Sequence, residues 1–148
     1  MSNAIAHYRA LHKIPELSGK EYKTAAYIEN ALREMGYAPT RVGVTGVTAR
    51  LVSGDNLPWV ILRADMDALA VGEETGSEFA SEHPGCMHAC GHDTHCAMLL
   101  GAAEVLRDKV LPRNILFLFQ PAEENTFGAL EMIAAGAMPA NLAASFGF

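Results

Sequence analysis

Two stretches, Pro58–Arg63 and Arg113–Gln120, carry nearly unbroken apolar runs. The longest uninterrupted one is Ile115 to Phe119. Runs this short cannot cross a membrane, and their β-branched and aromatic content with turn residues around them reads as strand buried inside a sheet. Helical spacing fills the intervals. Ile5, Tyr8 and Leu11 mark a short helix over 4–12 that Pro15 ends. Ser18 and Glu21 form a capping box, with Leu17 and Tyr22 at staple positions, for a helix reaching Met35 before Gly36. Further helices are expected over Thr94–Arg107, with Asp93 as N-cap, and over Thr126–Ala135, closed by Gly136. Short strands between Val42 and Val52 and a last apolar strand from Leu142 to Phe148 complete the pattern. Helices alternating with buried strands predict an α/β fold, a layered sheet with flanking helices.

Each buried run stops at a pair of acids: Asp65-Met66-Asp67 after the first and Glu123-Glu124 after the second. Alone, such pairs would serve as caps or as partners of a helix dipole. Open α/β sheets, however, place their sites beyond strand ends. Between the two strands lies a donor-rich run, His83-Pro-Gly-Cys86-Met-His88-Ala-Cys90-Gly-His92-Asp93-Thr-His95-Cys96, which holds four of the six histidines and all three cysteines. Thiolate, imidazole and carboxylate crowd together chiefly around a transition metal. Within Cys90-Gly91-His92, residues two apart on an extended segment face one side, and Gly91 lets the backbone pass closely.

Two bland readings compete with a catalytic site. One is a non-catalytic zinc knuckle built from Cys86, Cys90, His92 and His95 or Cys96. The other is a thiol-sensing domain. The knuckle lacks a second Cys-x-x-Cys or His-x3-His pair to close a cage.

Composition narrows the partners. Half of the 148 residues are hydrophobic and 19% are charged, with a net charge of −6 and no basic run. Nucleic acid and membrane surfaces are therefore not expected partners. Met1-Ser2-Asn3 opens without a basic flank and apolar core, so no signal peptide is expected. An odd number of cysteines beside histidines points to a reducing compartment, the cytoplasm. The loop over 68–87 is longer than ordinary connections. Its glutamates, Glu73, Glu74, Glu78 and Glu82, read as a solvated face. His7 and His12 read as surface or core-edge residues.

Four motifs in order, Leu11-His12-x-Ile14-Pro15-Glu16-Leu17-Ser18, Arg63-Ala64-Asp65-Met66-Asp67-Ala68-Leu69, Met87-His88-Ala89-Cys90-Gly91-His92-Asp93-x-His95 and Phe119-Gln120-Pro121-Ala122-Glu123-Glu124, resemble the metal-dependent aminoacylase and carboxypeptidase family. The branch is that of hippurate hydrolases and auxin-conjugate amidohydrolases. The resemblance implies a zinc-peptidase-like catalytic domain with Cys90, His92 and Glu124 as metal ligands, Glu123 as general base and Asp67 as the carboxylate supporting the site. It implies two divalent ions, zinc by default and manganese, cobalt or nickel as alternatives, and a substrate that is an N-acyl amino acid or small peptide. Cys86 and Cys96 are ordinary thiols on this reading. Ala70 stands where the family has proline, and Thr94 where it has a small residue. Further histidine ligands and a lid domain, used for dimerisation, follow in family members. The expectation is therefore an N-terminal portion of a longer homodimeric enzyme, with at most three of five ligands and little activity alone.

Overall fold

A computed structural model describes residues 3–148; Met1 and Ser2, read above for the absence of a leader, lie outside the described residues. The elements follow as α1 (Ala4–His12), α2 (Tyr22–Glu34), β1 (Thr40–Val42), β2 (Gly46–Leu51), β3 (Trp59–Asp65), α3 (His92–Leu106), β4 (Asn114–Gln120), α4 (Gly128–Ala134) and β5 (Leu142–Gly147). The sheet order is β1-β2-β4-β3-β5. β4 lies parallel to β3 and antiparallel to β2, while β5 runs parallel to β3 on its other side. The register sets Trp59 opposite Asn114 and Asp65 opposite Gln120. Both acid pairs therefore leave the sheet at one edge.

Why the β4 run is continuously apolar follows from the layers. Ile115, Phe117 and Phe119 pack with Leu11, Ile28, Leu32, Leu99 and Leu100 of α1, α2 and α3. Leu116 and Leu118 point the other way and pack with Ile61 and with Met132 of α4. Alternate residues of a strand face opposite sides, so helices on both faces require apolar residues at every position.

Several local expectations are corrected. Ser18 and Glu21 do not form a capping box. The orphan amides of Lys23 and Thr24 in the first turn of α2 donate to Glu16 Oε2, at 2.8 and 2.9 Å. Leu17 and Tyr22 are exposed and form no buried staple. Glu21 is fully buried. Its carboxylate accepts from the Gly19 amide (2.8 Å), the Ala122 amide (2.8 Å) and the Thr45 hydroxyl (2.6 Å). Asp93 is not the N-cap of α3 but lies inside its first turn. Gly91 caps the helix at φ 86°, a left-handed conformation costly for a residue with a Cβ. α4 begins at Gly128 and not at Thr126, because residues 121–127 coil into a turn with Ala122 and Thr126 at positive φ. A Cβ on Gly128 would fall 1.6 Å from the Pro121 carbonyl oxygen, so the turn closes only over glycine. The last strand forms as expected, and its apolar residues are largely exposed.

Glu21 links the start of α2 to the backbone just ahead of the Glu123-Glu124 pair. Replacing it with alanine leaves the buried Ala122 amide and Thr45 hydroxyl without their acceptor, a loss of about 3 kcal/mol. The expected result for Glu21→Ala is a lower urea midpoint with an unchanged slope.

Candidate metal centre

The parallel β3–β4 pairing fixes the framework, and three short segments converge on it. Asp65 ends β3 and Asp67 follows it. Cys90, Gly91 and His92 form the turn that opens α3. Glu123 and Glu124 stand in the turn after β4. Donor atoms of Cys90, His92 and Glu124 all lie within 4.8 Å of one another. Ligands of one tetrahedral zinc sit roughly 3.3–3.8 Å apart, given bonds of about 2.0–2.3 Å. Small rotations of side chains would close the set.

Asp67 organises the centre. Fully buried, it accepts the Ser18 hydroxyl at 2.6 Å and the Glu124 amide at 3.0 Å. His92 Nδ1 lies 2.9 Å from the Asp67 carbonyl oxygen and 3.2 Å from its carboxylate. That bond fixes the tautomer and leaves Nε2 of His92 as the free donor, the arrangement metal-bound histidines adopt. Nε2 faces Asp65 Oδ1 at 3.7 Å, Glu124 Oε1 at 3.8 Å and Glu123 Oε2 at 4.0 Å. Burial pushes the Asp67 carboxyl up, but the bonds from His92, Ser18 and the backbone outweigh it and hold the group below its usual range. Burial pulls His92 down, and Asp67 and Asp65 more than reverse this. The hydrogen bond to Glu124 pushes the Cys90 thiol up, and burial and the charges of Glu124, Glu123 and Asp65 add to the effect. A pocket that holds a thiol protonated while crowding carboxylates round it carries excess negative charge, which a cation would relieve.

The first acid of the Asp-x-Asp pair, Asp65, repeats the arrangement one helical turn on. Asp65 Oδ1 lies 2.6 Å from Nδ1 of His95, and its other oxygen meets Arg63 at 2.9 Å. Arg63 in turn donates to Gln120 at 3.0 Å. Asp65, His92 and His95 form a second close donor group. Cys96 is buried and donates to the Asp65 carbonyl, and Cys86 is buried too, as ordinary thiols should be. His88 is buried without a well-formed hydrogen bond, and burial pushes it down to about 4, so it is neutral.

All five expected residues, Cys90, His92, Glu124, Glu123 and Asp67, thus meet at one sheet edge. The sequence did not signal Ser18 as the partner of Asp67, nor the His95–Asp65–Arg63 chain. Glu73 departs from its expected solvated role. Its side chain is 4% exposed, and it binds His12, the Ser81 amide and the Thr75 hydroxyl. A cavity of about 410 Å³ lined by Arg41, Arg50 and Gly136 includes none of the centre's residues.

Residues 61–148 match peptidase family M20/M25/M40. The chain belongs to this family. It is 49% identical over 142 residues to an N-acyl-L-amino acid amidohydrolase of Geobacillus stearothermophilus, covering 93% of this chain and 38% of that protein. An N-acetyldiaminopimelate deacetylase of Streptococcus suis is 45% identical over 141 residues, with the same coverage, 93% and 38%. The crystal structure of the Bacillus subtilis YXEP protein, a dinuclear metal binding peptidase from the M20 family, superposes with a TM-score of 0.93 at 39% identity, covering 98% of this chain and 42% of that one. The chain therefore spans less than two fifths of the length of these two curated relatives.

Asp67→Asn tests the organising bond set. A depressed carboxylate contributes stability that is present above its unfolded value, near 3.8, and lost as pH falls through the lower folded value. The substitution should cost about 2–3 kcal/mol at neutral pH and flatten the acid limb of the stability curve, as read by urea unfolding from about pH 5 down to 2.

Proposed function

We propose that this chain supplies the catalytic half-site of a metal-dependent amidohydrolase acting on N-acyl amino acids or small peptides. Two divalent ions serve the complete enzyme, with zinc first among them on the chemistry of mixed sulfur, nitrogen and oxygen donors. The observation that carries this reading is the meeting of Cys90, His92 and Glu124 beside a buried Asp67 already bonded to the imidazole. The names of the relatives support the reaction class. Activity belongs to the polypeptide that also provides the remaining ligands and the substrate-binding and dimer surfaces. A cytoplasmic setting fits the three free thiols.

Cys90 as thiolate, His92 through Nε2 and Glu124 would hold a cation. Bound there, the ions would polarise the scissile carbonyl and lower the pKa of water toward about 7. Glu123 stands next to Glu124, with its side chain 42% exposed and its oxygen 4.0 Å from His92 Nε2. It is free to take the proton of the attacking water and pass it to the leaving amine. The water oxygen adds to the carbonyl carbon first, and the C–N bond breaks once the nitrogen has received the proton from Glu123, giving a carboxylate and a free amino acid. Asp67 keeps His92 oriented and contacts no substrate.

Cobalt(II) titration of the chain should give a sulfur-to-metal charge-transfer band that Cys90→Ala removes and Glu124→Ala weakens. A band indifferent to Glu124→Ala would favour a non-catalytic site built from residues 86–96 alone. Because Cys90 is held protonated, binding should release a proton and tighten as pH rises. In the complete enzyme Glu123→Gln should abolish turnover while metal stays bound; loss of metal instead would exchange the roles of the two glutamates.

A further inference from the structure

His12 closes α1, and the chemistry proposed above makes no use of it. Its imidazole is enclosed between two carboxylates, with Nδ1 at 2.5 Å from Asp93 Oδ2 and Nε2 at 3.2 Å from Glu73 Oε1. A neutral imidazole has one N–H and can donate to one of them; only the imidazolium donates to both. The two acceptors belong to different parts of the molecule. Asp93 follows His92 in the first turn of α3, where its other oxygen accepts the Thr94 amide. Glu73 lies in the 68–87 loop and also accepts the Ser81 amide at 2.6 Å, gathering residues 73–81 into a hoop.

The other attachments of that hoop fall at the same place. The Phe79 ring packs 5.5 Å from His12 and 5.4 Å from Tyr8, and Arg9 lies over its face. The Glu82 amide donates to the Lys13 carbonyl at 2.9 Å, and Lys13 pairs with Glu82. The groups facing His12 are therefore Tyr8 from its own helix, Asp93 from α3 and Glu73 from the loop. Arg9 sits beyond Phe79, and His88, kept neutral by burial, is a near neighbour.

We propose that His12 is a positioning residue, a clasp that ties the 68–87 loop to the turn bearing Cys90 and His92, and that the clasp is complete only while His12 is protonated. Burial alone would lower the His12 pKa, but its bonds to Asp93 and Glu73 outweigh burial and raise it above its ordinary 6.5. The doubly bonded state is thus fully formed below that ordinary value and is lost as pH rises through the raised one, the longer Glu73 arm going first. The part of the inference that concerns metal rests on the proposed function; the part that concerns the loop does not.

Hydrogen exchange of the metal-free chain tests the loop arm, with rates corrected for the intrinsic effect of pH and β4 amides as an internal reference for folding. Amides of residues 73–82 should lose protection several-fold between about pH 6 and pH 9, while β4 is unchanged. His12→Asn keeps a donor near the Nδ1 position for Asp93 but cannot reach Glu73. It should show the high-pH exchange at both pH values, and Glu73→Gln should flatten the response in the same way. Unchanged exchange in these variants, or a full pH response in His12→Asn, overturns the clasp. Cobalt(II) affinity tests the metal arm. His12→Ala should bind roughly tenfold more weakly, as supporting residues of metal sites do, and His12→Asn should restore most of the loss. Equal affinity in all three proteins overturns the positioning role. A wild-type chain that takes up no cobalt overturns the proposed function instead, and the exchange data still decide the loop.

Discussion

A carboxylate with no exposed surface must satisfy its oxygens from its surroundings or give up its charge. Asp67 meets that demand with donors from three places: Ser18 ahead of α2, His92 at the head of α3 and the Glu124 amide after β4. Two of these bonds constrain segments that have no regular structure of their own at that point, and the third fixes the first residue of a helix. The sheet brings the segments near one another, and this one charge sets how they meet.

The register of β3 on β4 comes before it. Parallel pairing with Asp65 opposite Gln120 means both strands end at the same level. A slip of one residue would exchange the faces of Ile115, Phe117 and Phe119 with those of Leu116 and Leu118 and turn Asp65 away from His95. The two hydrophobic layers therefore specify the centre indirectly: the energy of burying large side chains on both faces of β4 fixes where the acids emerge. Glu21 does similar work from below, by holding Ala122 in the positive-φ conformation from which Glu123 and Glu124 diverge.

Periodicity revealed the layers and the strand ends because it reports which faces are buried, and burial decides the layering of an α/β domain. The donor-rich neighbourhood was legible as well, since its residue types are crowded in the chain and flank strand ends; singling out Cys90, His92 and Glu124 within it took the likeness to the family. Local signals misled where a long-range partner took over a short-range role. Ser18 has the look of a cap, yet it serves Asp67 while Glu16 caps α2. Asp93 resembles an N-cap but turns to His12, 81 residues away in sequence. Glu73 stands among exposed acids and is the one drawn inward. No pattern of residue types marks such exchanges, because the partner is chosen by tertiary distance.

On the proposed function, sulfur from Cys90, nitrogen from His92 and oxygen from Glu124 share one cation. X-ray absorption at the zinc edge of the chain loaded with one equivalent reads that shell directly. The expected shell has one sulfur at about 2.3 Å with nitrogen and oxygen neighbours at about 2.0–2.2 Å. A shell of nitrogen and oxygen alone, or one with two or more sulfurs, contradicts it.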